Sequence, residues 1–75
     1  MLPLTSGHAL VVEDNPATRE WLISCVQAAF PELSILRASN VAEGRQLIAS
    51  CAIDLALIDL GLPDGSGIDL IKALA

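Results

Sequence analysis

Three short apolar stretches, each followed by helical patterning, constrain this chain more than anything else in it. The first, HALVVED at residues 8–14, is apolar and β-branched at its centre and closes on two acids. Both of its faces are apolar, which marks a strand covered on both sides of a sheet. The second, LSILRA at 33–38, carries Ser34 and Arg37 and reads as a less buried edge strand. The third is DLALIDL at 54–60.

Helical signals fill the gaps. Asn15-Pro16 opens the first helix, with Asp14 or Asn15 able to cap it and Pro16 suited to its first turn. Leu22, Cys25, Val26 and Ala29 recur at three- and four-residue spacing as its expected core face, and Phe30-Pro31 ends it. Ser39-Asn40 begins the second helix, where Asn40 and Glu43 resemble a capping box. Its expected stripe is Val41, Leu47, Ile48 and Cys51. Gly44 within it costs up to about 1 kcal/mol against alanine, which predicts close packing there. GLPDGSG at 61–67 reads as a turn. Ser66 and Asp69 then open a third helix with Ile68, Ile71 and Leu74 as its stripe.

The order is therefore β-α-β-α-β-α, which predicts an α/β fold with a parallel sheet and helices on its faces. With right-handed crossovers and a central first strand, the strand order is 2-1-3. Residues 1–7 read as an N-terminal tail and 8–75 as one small domain.

Composition narrows the function classes. A chain of 75 residues buries only about 60–65% of its unfolded surface, yet 53% of its residues are apolar and its mean hydropathy is +0.61. Either the core is rich or part of that surface meets a partner. Net charge is −5, and the only strong bases are the scattered Arg19, Arg37, Arg45 and Lys72. That is no electrostatic footprint for direct nucleic-acid binding. Trp21 and Phe30 are the only aromatics, too few for a base-stacking platform, and Trp21 is assigned to packing or an interface. Cys25 and Cys51 fall on apolar helical positions and read as reduced core cysteines. MLPLTSG has neither the basic residues nor the apolar run of a signal peptide. No stretch of about 18 uncharged apolar residues exists to span a membrane. A cytoplasmic location is expected.

Three acids stand at strand ends: Glu13 and Asp14 after the first strand, Asp59 after the third. In an open parallel sheet, ligands bind beyond the carboxyl ends of the strands, where the strand order reverses. That point lies between strands one and three, so the three acids converge there. Converging carboxylates repel, and a hard divalent cation such as Mg²⁺, which takes oxygen ligands, relieves the conflict. An aspartate beside such an ion can act as a nucleophile toward phosphorus. Asp14 taken alone suits a cap or a ligand equally. Asp64 reads as a turn residue and Asp54 as a solvated strand start.

With these residues in view, the chain resembles the receiver domains of two-component response regulators. VVEDN at 11–15 is similar to that family's acidic pair, and LIDLGLPDGSGIDLIKAL at 57–74 to the segment around its phosphoacceptor. The resemblance runs from about His8 to the end and implies a flavodoxin-like fold. It also implies that Asp59 accepts a phosphoryl group from a sensor histidine kinase, that Asp14 binds Mg²⁺ directly and Glu13 through water, and that the backbone carbonyl of Gly61 is a further ligand. Pro63 and Gly67 would shape the loop. Such a module is a regulatory domain, not an enzyme in its own right, and commonly governs an attached output domain, often in transcription.

Family members have five βα units and this chain has about three. The Ser or Thr after the fourth strand and the Lys after the fifth would lie beyond Ala75, and Lys72, on the third helix, does not replace the latter. The third strand thereby becomes an edge, and LALIDL at 55–60 lacks the Lys, Pro or bulge signal that protects edges. The expectation is that another chain completes the sheet, most simply a second copy, with Leu55, Leu57, Ile71 and Leu74 at the interface. The alternative function is a truncated receiver that acts as a dimerisation or interaction module without efficient phosphorylation.

Other site types fit less well. A haloacid-dehalogenase-type phosphatase has a second Asp two residues after the first, where this chain has Gly61. A dinucleotide site needs a glycine-rich first turn, and VVEDNP supplies acids that repel a pyrophosphate. DGSGID lacks the alternating ligands and closing Glu of a Ca²⁺ loop.

Overall fold

The computed structural model describes residues 7–75. Residues 1–6, most of the expected tail, lie outside the described residues. Gly7 already belongs to the sheet's margin, because its carbonyl accepts from the Ser34 N–H at 3.1 Å. The elements are β1 (His8–Val12), α1 (Pro16–Ala29), β2 (Ser34–Ala38), α2 (Val41–Ser50), β3 (Ile53–Ile58), β4 (Gly61–Leu62), β5 (Gly65–Ser66) and α3 (Gly67–Leu74).

β1, β2 and β3 form a parallel sheet in the order β2-β1-β3. This is the parallel α/β arrangement expected from the alternation, with the strand order 2-1-3 and three βα units. Apolar side chains on both faces of β1 explain its central place. Leu10 and Val12 face one core with Ala38, Val41, Leu62 and Leu70. Ala9 and Val11 face the other with Ile23 and Val26. The period of two along a strand sends alternate residues to opposite faces, so β1 must be apolar throughout. β2, with Ser34 and Arg37 exposed, is an edge as its polarity required. On β3, Leu55 and Leu57 turn to the α1 side, while Ala56 and Ile58 turn to the α2–α3 side.

The β1–β3 register shifts once, with His8 opposite Ile53 and Ala9 opposite Leu55. Asp54 is the residue left over. Its carboxylate accepts from the His8 N–H at 3.2 Å, so it supports the bulge and is more than a solvated strand start. The bulge lies on the paired side of β3 and leaves the outer edge of that strand unpaired among the described residues.

Three expectations about packing need correction. On α1 the inward stripe is Ile23 and Val26 with Leu22 half-buried, while Cys25 and Ala29 are exposed. At about 100° per residue, Cys25 falls roughly opposite Ile23. Cys25 and Cys51 are both free, as expected, but Cys25 is not a core residue. On α3 the inward residues are Gly67 and Leu70, whereas Ile68, Ile71 and Leu74 are all exposed. The helix is apolar on more than one face, so the stripe could be drawn along either, and contact with α2 selects Leu70. Trp21 is 64% exposed and takes no part in the packing.

Gly44 is where α2 approaches α3 and β1. A Cβ there would stand 2.7 Å from Leu70 Cδ1 and 3.4 Å from Val12 Cγ2. This is the close packing that a mid-helix glycine predicted.

Candidate functional site

β1 and β3 bring the three acids together through register. Val12 lies opposite both Ala38 and Ile58, so the two acid-bearing chain segments leave the sheet at the same end. The ladder continues one step beyond the strands. Glu13 N–H donates to Ala38 O and Asp59 N–H donates to Val12 O, each at 3.0 Å. The backbone at both positions is therefore held by the sheet while the side chains project past it.

Carboxylate oxygens of Glu13, Asp14 and Asp59 lie within 4.8 Å of one another. Opposite ligands of an Mg²⁺ octahedron are separated by about 4.2 Å, twice the usual metal–oxygen distance. The 4.8 Å limit is close to that spacing. A set of three carboxylate oxygens is the hard donor set that Mg²⁺ takes, so the residues present fit the ion. Gly61, the expected carbonyl donor, is an exposed residue with nothing within 4 Å of where a Cβ would stand.

Local hydrogen bonds divide the roles. Asn15 is the N-cap of α1, accepting from the Thr18 N–H at 3.0 Å, with Pro16 in the first turn. Asp14 is therefore not the cap of α1: its neighbour caps the helix, and the Asp14 carboxylate accepts no hydrogen bond among the described residues. Glu13 Oε2 accepts from the Asn15 N–H at 3.1 Å, and Asp59 Oδ1 accepts from the Gly61 N–H at 3.2 Å. Each of these two acids thus has one oxygen oriented by its own turn.

The loop after β3 is more ordered than a plain turn. β4 and β5 pair antiparallel as a miniature hairpin around Pro63-Asp64, with Gly61 opposite Ser66 and Leu62 opposite Gly65. Gly65 has φ +155°, a conformation suited to glycine. Leu62 is buried in the α2–α3 core. The Gly67 N–H closes the hairpin base on Leu60 O at 3.0 Å. A Cβ at Gly67 would run into the Asp59 carbonyl oxygen and the Ile58 side chain. Only glycine lets α3 start this close to the strand that carries Asp59. Ser66 caps α3 by accepting from the Ile68 N–H at 3.1 Å.

Two residues near the site were not legible from sequence. Asp64 does more than turn the chain: Oδ1 accepts from the Val41 N–H at 2.7 Å and Oδ2 from the Ala42 N–H at 3.0 Å. These bonds hold its carboxyl below the usual value of 3.8, the Val41 bond foremost. Arg19 places Nη1 on the Glu13 carbonyl at 3.0 Å, with its side chain only 19% exposed. Its one sequence signal is its place on the inward stripe, three and four residues before Leu22 and Ile23. At the start of α2, Glu43 Oε1 accepts from both the backbone and the hydroxyl of Ser39, and this lowers its carboxyl from the usual 4.5. The capping box is thereby shifted by one residue: Asn40 takes the Glu43 N–H at 2.8 Å, and Glu43 reaches back to Ser39.

Comparisons with known proteins agree with this geometry. The family model described as response regulator receiver domain matches residues 9–75. The response regulator protein PilR of Pseudomonas aeruginosa is 44% identical over 69 residues, covering 92% of this chain and 15% of PilR. The KDP operon transcriptional regulatory protein KdpE of Escherichia coli is 34% identical over 67 residues, covering 89% of this chain and 29% of KdpE. Among solved structures, the MaeR response regulator bound to beryllium trifluoride superposes with a TM-score of 0.80 at 31% identity, over 91% of this chain and 56% of that one. The chain belongs to the response regulator receiver family, a family of regulatory domains in two-component systems. It spans about a seventh to a little over half the length of these relatives. No described helix is long and apolar enough to cross a membrane.

Proposed function

We propose that this chain is a phosphoacceptor module in which Asp59 takes a phosphoryl group from a sensor histidine kinase, with Mg²⁺ held by Asp14, Asp59 and the Gly61 carbonyl and, through water, by Glu13. The observation that carries the proposal is the convergence of Glu13, Asp14 and Asp59 from two strands, with Asn15 relieving Asp14 of the capping role. In the transfer, an Asp59 carboxylate oxygen forms a bond to phosphorus. The bond from phosphorus to the donor's imidazole nitrogen breaks, and the imidazole keeps the electron pair. Mg²⁺, when bound, supplies positive charge against the phosphoryl oxygens. Asp59 is oriented for this by its ladder bond to Val12 and by the Gly61 N–H. The MaeR relative was solved bound to beryllium trifluoride, a small anion of phosphoryl-like shape, which is in keeping with a phosphoacceptor reading of this chain.

On this reading residues 8–75 are a partial receiver domain behind a tail of residues 1–7, working in the cytoplasm. The module regulates an output domain or partner, catalyses no turnover on a separate substrate and does not itself bind nucleic acid. A second reading, an interaction module without efficient phosphorylation, draws support from an edge of β3 that is unpaired among the described residues and from exposed Leu60, Ile68, Ile71 and Leu74. Either further elements of the same domain or a second copy would cover that flank, the latter drawing on Leu55, Leu57, Ile71 and Leu74.

Native mass spectrometry with Mg²⁺ and a small-molecule acyl phosphate donor separates the readings. A phosphoryl adduct on the wild-type chain, absent from Asp59→Asn, is the expected outcome. A folded assembly that takes no phosphoryl group favours the interaction module. The same spectrum reports how many chains assemble.

A further inference from the structure

The hairpin that follows Asp59 is tied to the rest of the molecule at its tip by one side chain. Asp64 spans 22 and 23 residues in sequence to reach the first two amides of α2, at 3.0 and 2.7 Å. α2 does not depend on Asp64 alone for its cap, since Asn40 already serves the third amide and Glu43 closes the box on Ser39. The Asp64 bonds are therefore a tertiary link as well as a cap. They act on a segment with little slack. Leu62 is anchored in the core two residues before Asp64, and Gly61 is paired with Ser66. Gly61 in turn gives its N–H to Asp59 Oδ1 and is the expected carbonyl donor to the ion.

We infer that Asp64 is a positioning residue for the acceptor site: by pinning the hairpin tip to α2 it fixes Gly61, and through Gly61 the Asp59 carboxylate. The negative carboxylate suits this task because the N-terminal end of a helix carries partial positive charge and free N–H groups. The effect on Mg²⁺ rests on the function proposed above, but the mechanical link does not.

The test uses the full chain, its Asp64→Ala and Asp64→Asn variants, and backbone amide NMR spectra recorded through an Mg²⁺ titration. In Asp64→Ala, the amide of Gly61 should shift together with those of Val41 and Ala42. The half-saturating Mg²⁺ concentration should rise by about threefold or more, the scale of a lost hydrogen bond. Asp64→Asn keeps one carbonyl acceptor and should fall between wild type and Asp64→Ala, and it carries the test if the alanine variant does not fold. A shift confined to Val41 and Ala42, with Mg²⁺ half-saturation within about twofold of wild type, would reduce Asp64 to a cap and overturn the inference. A wild-type chain that gives no response to Mg²⁺ would instead remove the proposed function, and the Gly61 amide would still decide whether the link exists.

Discussion

The carboxyl end of the sheet and the outer flank of β3 and α3 are built on opposite terms. At the carboxyl end, most polar groups are matched: Glu13 with Asn15, Asp59 with Gly61, Asp64 with α2, Glu43 with Ser39, while the exposed Asp14 carboxylate accepts no hydrogen bond among the described residues. At the flank, apolar groups are exposed and unmatched: Leu60, Ile68, Ile71 and Leu74, beside a strand edge without a partner among the described residues. The first region is fixed by hydrogen bonds within its own turns and by the Asp64 link to α2. The second can be satisfied only by more protein. A molecule so arranged presents a prepared site on one side and an open contact surface on the other.

The sharpest way to break the contrast is within α3 itself, where one face is core and the next is flank. Leu70 is fully buried between α2 and the sheet. Leu70→Ala should cost about 2–5 kcal/mol, enough to unfold a small domain, read as loss of the cooperative urea transition. Gly67→Ala comes next. Its new Cβ meets backbone at Asp59, which cannot rotate aside, so about 1–3 kcal/mol is expected. Gly44→Ala should cost less, because its obstacle is the end of the Leu70 side chain and alanine favours the helix. Equal unfolding midpoints for the two glycine variants would overturn this distinction.

Acid should loosen the polar end selectively. Glu20, bonded to Arg37, and Glu43 and Asp64 all have carboxyls held below their usual values of 4.5, 4.5 and 3.8. The unfolded chain binds more protons than the folded one in this range, so their stabilisation is complete above those values. It is lost as pH falls through the lower folded values. The urea midpoint should fall with pH below about 4.5, and Asp64→Asn should flatten part of that slope. An unchanged slope would show that the Asp64 bonds do not contribute. The smallest effect is expected at Ile71, 48% exposed. Ile71→Ser should stay within about 0.5 kcal/mol of wild type if the flank is open to water. A larger loss, accompanied by a smaller assembly on sedimentation, would show the flank covered by a second copy.

How far the sequence could be read differs between these regions for the same reason. β1 was legible because a strand covered on both faces must be apolar at every position. The acids were legible because strand ends in a parallel sheet converge at a known place. The inward face of α1 was not: Cys25 and Ala29 are apolar as well as Ile23, and spacing alone allowed a stripe rotated away from the true one. Asp64 looked like any turn aspartate, since its partners at Val41 and Ala42 are distant in sequence.

By itself the sequence determined the alternation of strands and helices and, once the fully apolar β1 is taken as the central strand, the order 2-1-3 and the meeting of Glu13, Asp14 and Asp59. These follow from periodicity, crossover handedness and chain direction, which are local or nearly so. Only the tertiary structure decided which face of α1 and of α3 turns inward, that Asn15 caps and Asp14 does not, and that Asp64 ties the hairpin after β3 to α2. Those outcomes depend on which groups meet across the fold, and near-equal local alternatives are separated only by contacts between residues far apart in the chain.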